Sequence, residues 1–151
     1  MRYQHILVAV DLMEGSDQVI KKGFELAKEF AAQLSLIHVV EPLPGYGYAF
    51  VAPAEIETQL VDEAKNQLKE FAQQFTISQD NIHVVLGPTK VEILETANEN
   101  NVDLLVVGTH TRHGWGHLLG STANAVIHSS ECDVLTVRVK PEDEQKEANN
   151  E

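Results

Sequence analysis

The chain has 151 residues, a length that suits one domain of ordinary size and leaves no room for two. Its formal net charge of −12 argues against nucleic acid and anionic membrane surfaces as partners, because both require clustered Lys and Arg. The sequence contains no run of about 18 or more apolar residues, so no membrane-spanning helix is expected. The single cysteine, Cys132, excludes an internal disulfide and a cysteine-based zinc site. Together with a start that lacks the apolar stretch of a signal peptide, this predicts a cytoplasmic protein.

Apolar runs rich in β-branched residues alternate with amphipathic segments along the chain. The runs predict five strands, at Tyr3–Val10, Leu34–Val40, Ile82–Leu86, Val102–Val107 and Val134–Val139. The amphipathic segments predict four helices, which begin near Ser16, Ala54, Thr89 and Ser121. Ser16, Thr89 and Ser121 are typical helix-capping residues. The proline- and glycine-bearing segment Glu41–Pro53 is expected to be a loop.

Strict alternation of strands and helices is typical of the α/β class. It predicts a doubly wound, five-stranded parallel sheet with helices on both faces. Right-handed crossovers limit the topology to a few arrangements, including the strand order 3-2-1-4-5. Residues 1–140 are expected to form this domain. The remaining 141–151 segment, PEDEQKEANNE, is predicted to be an acidic disordered tail.

Two features that are far apart in sequence fall at one crevice if the order is 3-2-1-4-5. Ligands bind to doubly wound sheets at the carboxyl ends of the strands, where the strand order reverses. Asp11 follows strand 1, and Gly108 follows strand 4. Asp11 is suited to ribose hydroxyls or to a metal, such as Mg²⁺, that is bound to phosphates. Gly120–Ser121–Thr122 opens a helix, whose first N–H groups favour phosphate.

The better-known phosphate motifs are missing. The pattern G-x-x-x-x-G-K-[ST] does not occur, which excludes a P-loop protein. The pattern G-x-G-x-x-G does not follow the first strand, which argues against a dinucleotide-binding Rossmann site. The alternative to a nucleotide site is that Asp11 caps a turn and that the glycines simply end strands.

Residues 3–140 resemble the universal stress protein family. The segments that carry the resemblance are the first strand with its aspartate (HILVAVD, 5–11), the second strand (LIHV, 36–39), the fourth strand (DLLVVGTH, 103–110) and the helix start GSTANAV (120–126). The resemblance implies the 3-2-1-4-5 sheet and a homodimer that forms through Val134–Val139. It also implies a stress-response regulator that binds ATP or AMP.

The resemblance assigns roles in nucleotide binding position by position. Asp11 would lie near the ribose or a metal, and the main chain of Val39 would meet the adenine edge. The phosphate path would be lined by Gly108, His110 and Thr111, and the phosphates themselves would bind at Gly120, Ser121 and Thr122. Nucleotide-binding members have a loop of the form G-x2-G-x9-G-[ST]. Here Thr111 replaces the second glycine, and the following interval is one residue shorter.

Several alternatives stay open at this point. The chain could be a dimeric interaction module that binds no nucleotide, because strand 5 is expected at the sheet edge. A slow ATPase is a weaker alternative, since Arg112 could supply charge but no catalytic base is identifiable. His110, His113 and His117 have a spacing that could bind zinc or nickel, but no carboxylate lies within the loop. Trp115 could stack on a base or cover apolar surface.

Overall fold

The structure, a computed structural model, describes residues 2–42, 54–110 and 120–142. Its five strands form one sheet in the order β3-β2-β1-β4-β5, and every neighbouring pair is parallel. The strands are β1 (His5–Ala9), β2 (Gln33–Val40), β3 (Ile82–Leu86), β4 (Leu104–His110) and β5 (Asp133–Val139). The predicted doubly wound parallel sheet and its strand order are therefore confirmed.

Helices cover both faces of the sheet, as predicted. The four helices are α1 (Ser16–Phe30), α2 (Ala54–Gln74), α3 (Thr89–Glu99) and α4 (Ser121–Ser129), and a 3₁₀ turn spans Gln79–Asn81. Helices α1 and α2 pack on the face that carries Ile6 and Val8. Helices α3 and α4 pack on the opposite face, which carries Leu7. Among the described helices, none has both the length and the apolar character needed to cross a bilayer.

The centre of the sheet is buried on both faces because β1 lies between β2 and β4 under two helical layers. Ile6, Leu7 and Val8 are consecutive, yet all three are fully buried. A half-exposed strand would instead alternate apolar and polar residues. This is why β1 is almost continuously apolar, and why the polar Ser35 beside Leu7 is paired with His5, whose Nε2 lies 2.7 Å from Ser35 Oγ.

The capping predictions for the three helices are wrong. Ser16, Thr89 and Ser121 are the first helical residues, and the N-cap positions are held by Gly15, Pro88 and Gly120. Two of these hydroxyls have partners outside their own helix. Ser16 Oγ donates to the Asp11 carboxylate, and Thr89 Oγ1 donates to Glu41. Contacts to neighbouring loops thus outweigh the local preference for capping.

Strand β4 is longer at its carboxyl end than the sequence predicts. It continues past Val107 to His110, because β5 pairs with it in register up to the pair His110 and Val139. Gly108 therefore lies within the strand, opposite Val137, and does not open a loop. This extension carries His110 to the end of the sheet. Most of the predicted acidic tail, 141–151, lies outside the described residues.

Candidate functional site

An aspartate and a histidine meet at the carboxyl ends of the two central strands. Asp11 follows β1, and His110 is the last residue of β4. His110 Nε2 lies 2.7 Å from Asp11 Oδ2. The two residues are 99 positions apart in sequence, and they come together because β1 and β4 are paired neighbours. This is the point where the strand order reverses, the usual ligand position in such sheets.

The Asp11 carboxylate is held by the turn that it opens. Its Oδ1 accepts hydrogen bonds from the Met13 backbone N–H at 2.9 Å and from Ser16 Oγ at 3.0 Å. Between them, Leu12 adopts a left-handed backbone conformation with φ of 60°, which is uncommon for a residue other than glycine. Counting the bond to His110, three of about four acceptor positions of the carboxylate are used.

The carboxylate is ionised and accessible at neutral pH. Burial raises the pKa of Asp11, but hydrogen bonds from Met13, His110 and Ser16 outweigh this effect and hold the pKa below its ordinary value of 3.8. About half of the Asp11 side chain, 48%, and 42% of the His110 side chain remain exposed. The pair can therefore be reached by a ligand from solvent.

The partner of His110 determines where its ring proton lies. A carboxylate at this pH only accepts hydrogen bonds, so Nε2 of His110 carries the proton that is donated to Asp11. Nδ1 is then the ring nitrogen that can make a second hydrogen bond. The bond to Asp11 thus fixes both the tautomer and the orientation of the imidazole.

Close packing of α1 on β4 leaves no room for a side chain at Gly108. A Cβ atom built at this position would lie 2.8 Å from Val19 Cγ2, on α1, and 3.4 Å from Val139 Cγ2, on β5. Such an approach is closer than real side chains allow, so glycine lets α1 sit tightly on β4. The contact with Val19 gives Gly108 a packing role, and its predicted place in the phosphate path stays a prediction.

Gly120 stands in a different environment. Its φ is −54°, which any residue can adopt, and among the described residues no atom lies within 4 Å of a Cβ built there. It is the N-cap of α4, and no side chain of the described part of the chain caps that helix. Ser121 and Thr122 follow in the first turn, where N–H groups have no partner within the helix.

The main chain of Val39 faces the end of β1. The ladder between β1 and β2 ends in register at Ala9 and Ile37, and the N–H of Val10 still donates to Ile37 O at 2.8 Å. Main-chain groups of a parallel strand alternate between its two neighbours. Because the main-chain groups of Ile37 point toward β1, those of Val39 point the same way, at a level beyond the last residue of β1. Its side chain is 9% exposed.

His38 is a residue of this region to which the sequence analysis gave no role. Its Nδ1 lies 2.6 Å from the carbonyl oxygen of Val10, directly before Asp11. The signal was present in the sequence, since His38 is the one titratable residue in an otherwise apolar end of β2. The residue pattern of β2 could not reveal the partner, because Val10 follows a different strand, β1.

Several predicted features of the loop before α4 lie outside the described residues. They are Thr111, Arg112, His113, Trp115 and His117. Within the described ranges, no group of three or more His, Cys, Asp or Glu side chains is arranged to hold a metal ion. The predicted site residues that lie within the described ranges are therefore Asp11, Val39, Gly108 and His110, together with Gly120, Ser121 and Thr122 at the start of α4.

Comparison with known proteins identifies the family and agrees with the fold. The sequence profile of the universal stress protein family matches residues 2–138. The chain belongs to the universal stress protein family. Universal stress protein A homolog 2 of Coxiella burnetii is 48% identical over 141 residues, which cover 91% of this chain and 97% of that protein.

Solved structures of universal stress proteins share the fold. The universal stress protein UspA from Lactobacillus plantarum superposes with a TM-score of 0.71 at 26% identity, covering 91% of this chain and 99% of that one. A universal stress protein in complex with cAMP superposes with a TM-score of 0.59 at 25% identity, covering 93% of this chain and 100% of that one. The second structure shows that a protein of this fold has been captured with an adenine nucleotide.

Proposed function

We propose that this universal stress protein is a cytoplasmic, dimeric stress-response regulator that binds an adenine nucleotide, ATP or AMP. The nucleotide would occupy the crevice between the ends of β1 and β4 and the start of α4. The observation that carries the proposal is the Asp11–His110 pair, joined at 2.7 Å where the strand order reverses. The cAMP complex of a structural relative supports the same ligand class.

The acceptor capacity of Asp11 suits a ribose. Three of about four positions on its carboxylate are used by Met13, Ser16 and His110. One position on Oδ2 remains, which is enough for a single sugar hydroxyl. Because the three existing bonds fix the carboxylate before a ligand arrives, little side-chain entropy is lost on binding. Mg²⁺ carried by the phosphates would compete for this same oxygen.

The start of α4 suits the phosphates. This helix has nine residues. Its first-turn N–H groups, which have no partner within the helix, and its macrodipole favour an anion. No atom of the described residues lies within 4 Å of a Cβ built at Gly120, so a phosphate oxygen could approach the N–H groups of Ser121 and Thr122. At the far side of the crevice, the main chain of Val39 offers one donor and one acceptor, which the edge of an adenine can match.

A thermal-shift titration tests nucleotide binding directly. A ligand present at about 100 times its Kd stabilises a protein by about 2.7 kcal/mol, which for a chain of this size raises the Tm by roughly 5–10 °C. We expect ATP or AMP to produce such a shift at millimolar concentration. Parallel titrations with and without Mg²⁺ measure whether the metal contributes, and GTP serves as the matched control for the base.

The titration also decides between the two classes of function. If no adenine nucleotide at millimolar concentration shifts the Tm, the nucleotide proposal is wrong and the chain is an interaction module. A shift produced equally by inorganic triphosphate would show that only the phosphates are recognised. Product analysis after prolonged incubation with ATP measures hydrolysis, for which we expect no turnover beyond that of the buffer alone.

The dimer that we propose forms through β5, over Val134–Val139. This strand has only one neighbour in the described sheet, so its other edge presents main-chain donors and acceptors. Val134, Leu135, Thr136 and Val137 are half-buried, in contrast to the fully buried residues of β1. Pairing with a second copy would cover this edge, and a two-fold axis makes such an interface self-complementary.

A charge introduced at the centre of β5 tests the dimer. In antiparallel self-pairing of Val134–Val139, Thr136 lies next to the two-fold axis, so Thr136→Asp places two like charges close together. Like charges on paired strands destabilise the pair. We expect light scattering to give twice the chain mass for the wild type and a lower average mass for Thr136→Asp. Thr58→Asp, at an exposed position of α2, is the control. A wild type with the mass of a single chain would contradict the proposal.

A further inference from the structure

The carbonyl of Val10 is held by a side chain of the neighbouring strand. His38 Nδ1 lies 2.6 Å from this oxygen, while the N–H of Val10 donates to Ile37 O at 2.8 Å. Since a carbonyl only accepts, Nδ1 must carry the proton. Both main-chain groups of Val10 are thus bound by consecutive residues of β2, at the position where β1 ends.

This bond acts on the next residue through the peptide group. The Val10 carbonyl and the Asp11 nitrogen belong to one planar unit, so fixing the direction of the carbonyl fixes the plane that leads into the Asp11 Cα. The turn that follows contains Leu12 at φ 60°, a conformation that is unfavourable for a residue with a Cβ and must be imposed by surrounding contacts. His38 supplies one such contact from β2.

Asp11 is therefore held from two sides by histidines. On the β4 side, His110 binds its carboxylate, and on the β2 side, His38 binds the peptide group that precedes it. From these contacts, we infer that His38 is a positioning residue of the nucleotide site, which sets the place of Asp11 without touching the ligand. This inference rests on the proposed function, because it assumes that Asp11 contacts the nucleotide.

Two substitutions separate the hydrogen bond from the volume of the ring. His38→Phe keeps a ring of similar size but has no donor. His38→Asn is smaller but carries an N–H at the position of Nδ1 and can still bind Val10. A role in packing alone would favour the phenylalanine variant, whereas a role in positioning favours the asparagine variant. His83→Phe, on half-buried β3, is the matched control for replacing a histidine in the sheet.

We expect His38→Phe to weaken ATP binding about tenfold, as the loss of one well-made hydrogen bond would do. His38→Asn should recover most of the affinity, and His83→Phe should bind like the wild type. In the Asp11→Asn background, His38→Phe should have no further effect, because the residue on which it acts has already lost its function. Calorimetric titration of the wild type and the five variants gives each Kd.

A second readout needs no ligand. The Met13 N–H donates to Asp11 Oδ1, so hydrogen exchange at this amide reports whether Asp11 is in place. We expect faster exchange at Met13 in His38→Phe and wild-type exchange in His38→Asn. A wild type that binds no nucleotide overturns the proposed function, and Met13 exchange then still decides whether His38 positions Asp11. Unchanged exchange in His38→Phe, or a full tenfold loss that persists in the Asp11→Asn background, overturns the inference.

Discussion

Replacement of Asp11 by Asn should weaken ATP binding about 10–100-fold while the protein stays folded. The expected loss corresponds to one hydrogen bond to a charged group, about 1.5–3 kcal/mol. Asn keeps an oxygen that can accept from Met13 and Ser16, so the turn can be retained. The second oxygen becomes an NH₂ group, which accepts neither from a ribose hydroxyl nor from His110. Calorimetric titration gives the Kd, and circular dichroism checks the fold.

The loss of negative charge in Asp11→Asn should by itself raise the affinity for ATP, opposite to the weakening expected from the lost acceptor. Removing a negative charge near the phosphates should favour the binding of ATP. A loss of affinity would therefore come from the lost acceptor, which binds both the ribose and His110, and not from the change in charge. Asp17→Asn is the matched control, because Asp17 is exposed in the first turn of α1 and its substitution changes the net charge equally. Unchanged or tighter binding by Asp11→Asn would show that the carboxylate does not contact the nucleotide.

Replacement of Gly15 by Ala should lower the free energy of unfolding by about 2–5 kcal/mol. Gly15 has φ of 89°, and a residue with a Cβ is strained in this left-handed region by about 1–2 kcal/mol. The added Cβ would also collide with the Val139 side chain on β5, and overpacking of this kind costs about 1–3 kcal/mol. Urea denaturation measures the difference, which corresponds to a decrease in Tm of roughly 5–20 °C.

Gly120→Ala is the matched control for this substitution. Gly120 is also the N-cap of a helix, but its φ is −54° and a Cβ would meet none of the described atoms. We expect a cost below about 1 kcal/mol, the ordinary difference between these residues at a helix start. If both variants lost the same free energy of unfolding, neither the left-handed backbone of Gly15 nor its contact with Val139 would matter for stability.

The two substitutions also separate stability from function. Gly15 lies beside the Asp11 turn, but its contact is with the core, so its effect should appear in unfolding. At Gly120, the added methyl group stands where a phosphate would approach the backbone. We therefore expect Gly120→Ala to weaken nucleotide binding more than it weakens the fold.

The class and layering of the fold could be read from the sequence because each depends on local patterns. An uninterrupted apolar run such as Ile6–Val8 indicates a strand that is buried on both faces. Regular alternation of such runs with amphipathic helices then leaves few topologies. The resemblance to universal stress proteins supplied the strand order, and Asp11 was found because a carboxylate stands directly after the first apolar run.

The exact helix starts could not be read in this way. Ser16 has the chemistry of an N-cap, and local preference predicts that role. In the fold, the same hydroxyl lies within reach of Asp11, and a hydrogen bond to a charged group is stronger than one to a neutral backbone. Gly15 takes the cap position because the turn requires a left-handed conformation there.

Local patterns in the sequence were enough to predict a doubly wound α/β chain with a carboxylate at the end of its first strand. The contacts of that carboxylate depend on the folded arrangement of the strands. His110 and His38 come from β4 and β2, and both reach the Asp11 turn only when these strands flank β1. The packing of Val19 against Gly108 likewise exists only when α1 lies on β4. Periodicity reports which face of an element is buried, whereas these contacts depend on the relative position of three strands and a helix.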